Sequence, residues 1–125
     1  MAHEMLKRGL GAIREEGGNP RTRDYSLVIW AGRKQQLYPC RMLNRVPCIT
    51  RKRGGEGGSF ITSVHRLLTI EEMLSLQGLP TSHRAAAHRV GISDRTLGQM
   101  AGNAIPTNVI KPVLARILTW IGKHE

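Results

Sequence analysis

The sequence predicts a small α+β unit, with short strands in its first half and two to three helices in its second half. Three observations predict this class. Residues 25–30 are rich in β-branched and aromatic residues, as strands are. Residues that typically begin and end helices follow residue 66, and a long apolar stripe with helical spacing lies near the end of the chain.

The first half is predicted to begin with a short helix, followed by strands and a basic loop. Apolar side chains in residues 5–13 recur at roughly helical spacing, and the turn at residues 17–20 would end that helix. Residues 46–50 and 60–64 are predicted as two further short strands. Between them, residues 51–58 join three consecutive basic residues to four glycines and are predicted to form a loop.

Helix boundaries are clearest in the second half. Thr69 and Glu72 have the spacing of a capping box, in which each side chain accepts a hydrogen bond from the other residue's backbone N–H. Gly78 suits the left-handed position that follows a helix, and Ser93 suits the position that begins the next one. Gly102 is predicted to stop that second helix.

The final predicted helix has an apolar stripe over residues 109–121. Pro112 must lie in the first turn of this helix or kink it. Such a stripe belongs either to the core or to a surface that meets a partner.

The charge balance favours a polyanionic partner. The net charge is +10, from 19 Lys and Arg against 9 Asp and Glu. Residues 1–65 hold 12 basic and 5 acidic residues, whereas residues 66–125 hold 7 and 4. Nucleic acid is the usual partner of such an excess, although a solvated basic surface would give the same count.

Several other classes of protein are disfavoured. Two cysteines, Cys40 and Cys48, do not make a disulfide framework, and no Cys and His residues have the spacing of a zinc site, so we expect no metal. No His, Asp or Glu adjoins either cysteine, so a structural or incidental role is the better interpretation of both. Without a secretory signal or a bilayer-spanning segment, we expect an intracellular protein with no membrane partner.

Two segments, in order, resemble conserved motifs of the DNA cytosine-5 methyltransferases. Residues 66–80, Arg-Leu-Leu-Thr-Ile-Glu-Glu-Met-Leu-Ser-Leu-Gln-Gly-Leu-Pro, resemble motif IX, with Leu79 where the family usually has Phe. Residues 102–106, Gly-Asn-Ala-Ile-Pro, followed by the apolar helix, resemble motif X. Upstream, residues 47–50 and the basic glycine-rich segment resemble the end of the family's target recognition domain. The resemblance covers roughly residues 46–121.

The resemblance implies a division of the chain and a role for each segment. Residues 1–65 would be the tail of a target-recognition region, and residues 66–125 would hold the motif IX helix and a motif X helix that docks on a catalytic domain. The residues expected to organise motif IX are Arg66, Thr69, Glu72, Gln77 and Gly78. Those expected to contact S-adenosylmethionine are Asn103, Ala104 and Ile105. Those expected to approach double-stranded DNA are Thr50, Arg51, Lys52 and Arg53, whose charges suit phosphates.

The family's own chemistry is not encoded here. Its members attack cytosine carbon-6 with the Cys of a Pro-Cys-Gln motif, and a Glu-Asn-Val motif assists at a base flipped out of the duplex. In this chain Cys40 precedes Arg41 and Cys48 precedes Ile49, and neither Glu-Asn-Val nor the family's Phe-x-Gly-x-Gly cofactor loop occurs. We therefore expect no catalytic residue, and a cofactor that binds only with a catalytic half.

Three hypotheses stay open at this point. In the first, the chain is a subunit that completes a separate catalytic methyltransferase chain. In the second, it is a DNA-binding module without catalysis. In the third, it is an inert truncated remnant. The sequence does not separate the first from the third.

Overall fold

The computed structural model describes residues 2–28, 41–55 and 58–123. In these residues it contains six helices and four strands, and the predicted α+β class is confirmed. In chain order the elements are α1 (Ala2–Glu15), β1 (Tyr25–Val28), β2 (Arg41–Leu43), α2 (Arg51–Gly55), β3 (Ser59–Ile61), β4 (Arg66–Leu67), α3 (Ile70–Leu76), α4 (His83–Arg89), α5 (Asp94–Asn103) and α6 (Thr107–Ile121).

The four strands form one antiparallel sheet in the order β2-β1-β3-β4. Leu27, in the central strand β1, lies opposite Arg41 on one side and Phe60 on the other. Helix α1 covers the sheet, because its fully buried Ile13 packs with Leu27 and Phe60. This first core therefore joins the N-terminal helix to the strands.

A second core joins the three helices that follow the sheet. Leu74 of α3, Ala87 of α4 and Leu97 of α5 are buried together. Partly buried apolar side chains surround them: Ile70, Leu79 and Ile92. A trio of short helices with one shared apolar centre is thus a separate packing unit from the sheet.

Three of the predicted helix boundaries in this region are confirmed. The Thr69 hydroxyl accepts from the Glu72 N–H at 3.2 Å, and the Glu72 carboxylate accepts from the Thr69 N–H at 2.8 Å. Gly78 follows α3 with φ of 72°, in the left-handed region that glycine adopts without strain. Ser93 begins α5 by accepting from the Thr96 N–H at 3.2 Å.

Three predictions for the first half were wrong in detail. Residues 46–50 do not form a strand, and the strand that pairs with β1 is β2, at Arg41–Leu43. The basic segment at 51–58 is not a loop throughout, because α2 occupies Arg51–Gly55. The third strand ends at Ile61 and not at residue 64, because residues 62–65 turn the chain. Residues 29–30 of the first predicted strand lie outside the described residues.

Two expectations for the second half also need correction. Gly102 does not stop α5, which continues to Asn103. Pro112 lies in the interior of α6, beyond its first turn, and has no N–H to donate to the carbonyl four residues earlier. No helix in the described parts of the chain is both long and apolar enough to cross a membrane.

Candidate functional site

The basic segment packs directly on the helix that leads to Asn103. A Cβ atom added at Gly98 would overlap the carbonyl oxygen of Gly54, and one added at Gly102 would overlap the Thr50 carbonyl and the Arg51 nitrogen. Residues four apart on a helix share a face, so α2 runs antiparallel to α5 along this glycine face. The structure thereby brings Thr50 and Arg51 beside the residue that precedes Asn103.

Three of the four residues predicted to contact DNA can be placed relative to this packing. Thr50, Arg51 and Lys52 are exposed. The side chain of Arg53 lies outside the described part of the structure. Two exposed cationic side chains on one short helix suit a phosphate backbone, because phosphate contacts need charge more than shape.

Gln77 holds both ends of the segment that contains Asn103. Its side-chain Nε2 donates to the Ala101 carbonyl at 2.7 Å, and its backbone carbonyl accepts from the Thr107 N–H at 2.9 Å. The Thr107 hydroxyl also donates to the Gly78 carbonyl at 2.8 Å. We call these hydrogen bonds from residue 77 to residues 101 and 107 the Gln77 bridge. The side-chain bond gives a partner to the amide nitrogen of a residue that is only 5% exposed.

The bridge leaves one polar atom unused. The Oε1 atom of Gln77 is buried and has no hydrogen-bond partner among the residues that the structure describes. A buried acceptor without a donor lowers stability, by about 1–3 kcal/mol. The two hydrogen bonds of the Gln77 bridge, which connect the end of α3 to α5 and α6, offset this loss of stability.

The residues expected to contact the cofactor form an exposed edge. Asn103 ends α5, Ala104 is extended, with its N–H donating to the Ala101 carbonyl at 3.2 Å, and Ile105 is 62% exposed. An amide that both donates and accepts, next to an apolar side chain, fits one edge of a site for S-adenosylmethionine, a ligand with polar and apolar parts. The chemistry of these three residues is thus compatible with the expectation that they contact the cofactor.

Arg66 and Glu72 connect the last strand to α3. The guanidinium donates to both carboxylate oxygens, at 2.8 and 2.7 Å. This bidentate pair, with the Thr69 N–H as a further donor, lowers the pKa of Glu72 to about 2. These contacts connect the end of β4 to the start of α3.

A second ion-pair cluster was missed at the sequence level. Arg84 of α4 donates to both oxygens of Asp94 on α5, at 2.9 and 2.6 Å, and also to Glu71 of α3. His88 lies 2.7 Å from the same Asp94 carboxylate. Hydrogen bonding from Arg84 is the main cause that lowers the pKa of Asp94 to about 2. The partners lie 10 and 13 residues from Arg84, beyond the reach of helical periodicity.

The described residues contain one cysteine, and their potential metal ligands are scattered. The exposed Cys48 thiol lies 3.8 Å from the carbonyl of its neighbour Ile49, and Cys40 falls outside the described ranges. Within those ranges no three His, Cys, Asp or Glu side chains are grouped so that they could hold a metal ion.

Comparison with known proteins gives one family. The family model for C-5 cytosine-specific DNA methylase matches residues 12–119, a stretch that includes the glycine face, the Gln77 bridge and nearly all of α6. No curated protein and no solved structure is significantly similar to the chain.

Proposed function

The chain belongs to the C-5 cytosine-specific DNA methylase family, and we propose that it acts as the C-terminal portion of such an enzyme. In this role it contributes a DNA contact and one edge of the S-adenosylmethionine site. A separate catalytic portion supplies the nucleophile, because this sequence contains neither Pro-Cys-Gln nor Glu-Asn-Val. Alone, the chain transfers no methyl group.

One observation carries this proposal: the packing of α2 against the glycine face of α5. A methyl group passes directly from the cofactor to a base, so a segment that contacts DNA and a segment that borders the cofactor must be neighbours. Contact of the Thr50 and Arg51 backbone with Gly102 supports that arrangement, since Asn103 follows immediately. Cofactor contacts would then come from Asn103, Ala104 and Ile105, and phosphate contacts from residues 50–53.

Helix α6 supports the proposed dependence on a catalytic portion. None of its side chains is buried, and its apolar residues keep about half of their surface exposed. They are Val109, Val113, Leu114, Ile117, Leu118, Trp120 and Ile121. Monomeric soluble proteins rarely expose a continuous apolar patch of this kind. We assign this apolar face of α6 to docking on the catalytic portion, which agrees with treating residues 66–125 as one functional region.

The proposal is tested by methyl transfer from labelled S-adenosylmethionine to duplex DNA. The three samples are this chain, a family catalytic portion that carries Pro-Cys-Gln, and their mixture. We expect transfer only in the mixture. Transfer by this chain alone would contradict the proposal, because it would require a nucleophile that the sequence does not provide.

Two variants of the mixture separate the two proposed contacts. The double variant R51Q/K52Q should raise the KM for DNA several-fold, because two phosphate contacts are lost, and should leave the KM for the cofactor unchanged. Asn103→Ala should raise the KM for the cofactor and leave the KM for DNA unchanged. The variant K7Q/R14Q removes the same charge from α1 and serves as the matched control. Equal effects of all three variants would indicate a general charge or folding effect and would count against both site assignments.

A second candidate function is a DNA-binding module without catalysis. The net charge of +10 and the exposure of Arg51 and Lys52 favour it. Binding through phosphates should weaken steeply with salt and show little preference for sequence. An inactive mixture in which this chain still binds DNA with a strong salt dependence would select this candidate over the first. Affinity that hardly changes between low and moderate salt would rule it out.

A further inference from the structure

The exposed residues 103–105 lie between two residues that are anchored to the end of α3. Before them, the carbonyl of the buried Ala101 accepts from the Gln77 side chain at 2.7 Å. After them, the N–H of the half-buried Thr107 donates to the Gln77 carbonyl at 2.9 Å. A single residue of another helix thus holds both ends of the segment that is expected to border the cofactor.

The anchor after the segment is reinforced by close packing. The Thr107 hydroxyl donates to the Gly78 carbonyl at 2.8 Å and lies 3.2 Å from the Gln77 carbonyl. A Cβ atom added at Gly78 would overlap the side chains of Thr107 and Asn108. The start of α6 therefore touches the backbone that ends α3, and this contact does not depend on the Gln77 side chain.

The anchor before the segment depends on the Gln77 amide, which gives the fold little net stability. The Ala101 carbonyl also accepts from the Ala104 N–H at 3.2 Å, so it would keep a partner without Gln77. The buried Oε1 atom of Gln77 has no hydrogen-bond partner in the described part of the chain. An apolar side chain of similar size would lose one hydrogen bond and would also remove one unpaired acceptor, and these two effects oppose each other.

We propose that Gln77 is a positioning residue for the cofactor, and that its amide orders residues 103–105 before the cofactor binds. The inference rests on the proposed contact of those residues with S-adenosylmethionine and deepens it. Gln77 is only 5% exposed, so it acts through the segment and does not touch the ligand. A segment that is already ordered binds more tightly, because less conformational freedom is lost on binding.

The test begins with Gln77→Met in the isolated chain. This variant keeps the length of the side chain and the backbone bond to Thr107, and its Tm should shift by less than about 5 °C. Hydrogen exchange should nevertheless change, with the N–H groups of Ala104 and Thr107 exchanging at least about fivefold faster than in the wild type. Gln99→Met makes the same substitution at a half-buried position of α5 and should leave both exchange rates unchanged.

The second measurement is equilibrium dialysis of labelled S-adenosylmethionine against the mixture with a catalytic portion, without DNA. Gln77→Met should raise the Kd by about three- to tenfold, because the segment must then be ordered on binding. Gln99→Met should bind as the wild type does.

Thr107 gives an independent variant at the other anchor and serves if Gln77→Met does not fold. Thr107→Val removes the hydroxyl bond and keeps the N–H, so it should also speed exchange in the segment and raise the Kd. Thr107→Ser keeps the hydroxyl and should restore both values.

The outcomes separate this inference from the proposed function. If Asn103→Ala weakens cofactor binding and Gln77→Met does not, the inference is overturned and the proposed cofactor contact stands. A weaker affinity of Gln77→Met with unchanged exchange would also overturn it, as would a Tm loss well beyond 5 °C, which would indicate a structural role. Absence of cofactor binding by the wild-type mixture would overturn both.

Discussion

At the scale of single residues, the carboxylate of Glu72 accepts three hydrogen bonds. It caps α3 through the Thr69 N–H and receives both arms of the Arg66 guanidinium. Each of these donors stabilises the ionised carboxylate, and the pKa falls from an ordinary 4.5 to about 2. Asp94 has a similarly low pKa, near 2, because of Arg84. Both groups make the free energy of unfolding depend on pH in the acid range.

The sign of that dependence follows from the direction of the shifts. A carboxyl group with a lowered pKa in the folded state stabilises the fold above its unfolded pKa and loses that contribution as pH falls. The free energy of unfolding should therefore decrease between about pH 4.5 and pH 2. At pH 7, Glu72→Gln should lower the free energy of unfolding by about 0.5–1 kcal/mol, because an exposed ion pair contributes no more than that. The variant should also show a smaller decrease of this free energy in acid. Urea unfolding at several pH values measures both effects.

Glu4→Gln is the matched control, since it removes an exposed ion pair with Arg8 within α1 and should change little. If Glu72→Gln kept the full acid dependence of the wild type, the stabilising role assigned to the Arg66 pair would be wrong.

At the scale of elements, the packing of α2 on α5 depends on glycine. Gly98 and Gly54 allow two backbones to touch, and no side chain fits between them. Backbone contact of this kind fixes the position of the basic residues on α2 more firmly than a loop would. It also explains a helix of only five residues, which is far too short to be stable alone.

Gly98→Ala should therefore lower stability, by about 1–3 kcal/mol, because the new methyl group overlaps the Gly54 carbonyl. Gly11→Ala gives the contrast, since a Cβ at Gly11 of α1 meets nothing within 4 Å. That variant should gain up to about 1 kcal/mol, as alanine favours a helix. Urea unfolding compares the two. A neutral or stabilising Gly98→Ala would mean that α2 does not pack as described.

Local chemistry explains which elements were predictable from sequence. The capping box at Thr69 and the start of α5 at Ser93 depend on residues three positions apart, so the sequence alone reveals them. Helix α2 depends on glycines more than forty residues away, and a window around its own basic glycine-rich residues favours a loop. Gly102 was misread for the same reason, because its role is close packing against Thr50 and not the end of a helix. The sequence alone suggested which residues belong to the candidate site. Only the structure shows that Thr50 and Arg51 lie beside Gly102, next to Asn103.

At the scale of the whole molecule, two small cores are buried and one long helix is not. The sheet core and the three-helix core are each closed by a few apolar side chains. Helix α6 contributes no buried residue to either. Its side chains therefore add little to the stability of the isolated chain, and under the proposed docking they contact the catalytic portion instead.

Ile117→Lys places a charge in the middle of the apolar face of α6. We expect it to reduce self-association of the isolated chain and to weaken its complex with a catalytic portion, because charge at the centre of an apolar interface is costly to bury. The free energy of unfolding should change by less than about 0.5 kcal/mol, as for other surface changes. Sedimentation and urea unfolding measure the two effects.

Leu97→Ala provides the comparison for a buried position and should cost about 2–5 kcal/mol. A similar loss from Ile117→Lys would show that α6 is part of the core, contrary to the exposure of its side chains.

The Gln77 bridge has an evolutionary consequence. Its hydrogen bonds run to backbone atoms at residues 101 and 107, so the side chains between these points take no part in them. The frame itself therefore sets no requirement for the side chains of residues 103–105, and only their proposed contact with the cofactor restricts them. Position 107 excludes proline, which lacks the N–H that the frame requires. Substitutions at residues 103–105 that keep the cofactor contact are therefore compatible with an unchanged frame, whereas a change at position 77 alters the frame itself.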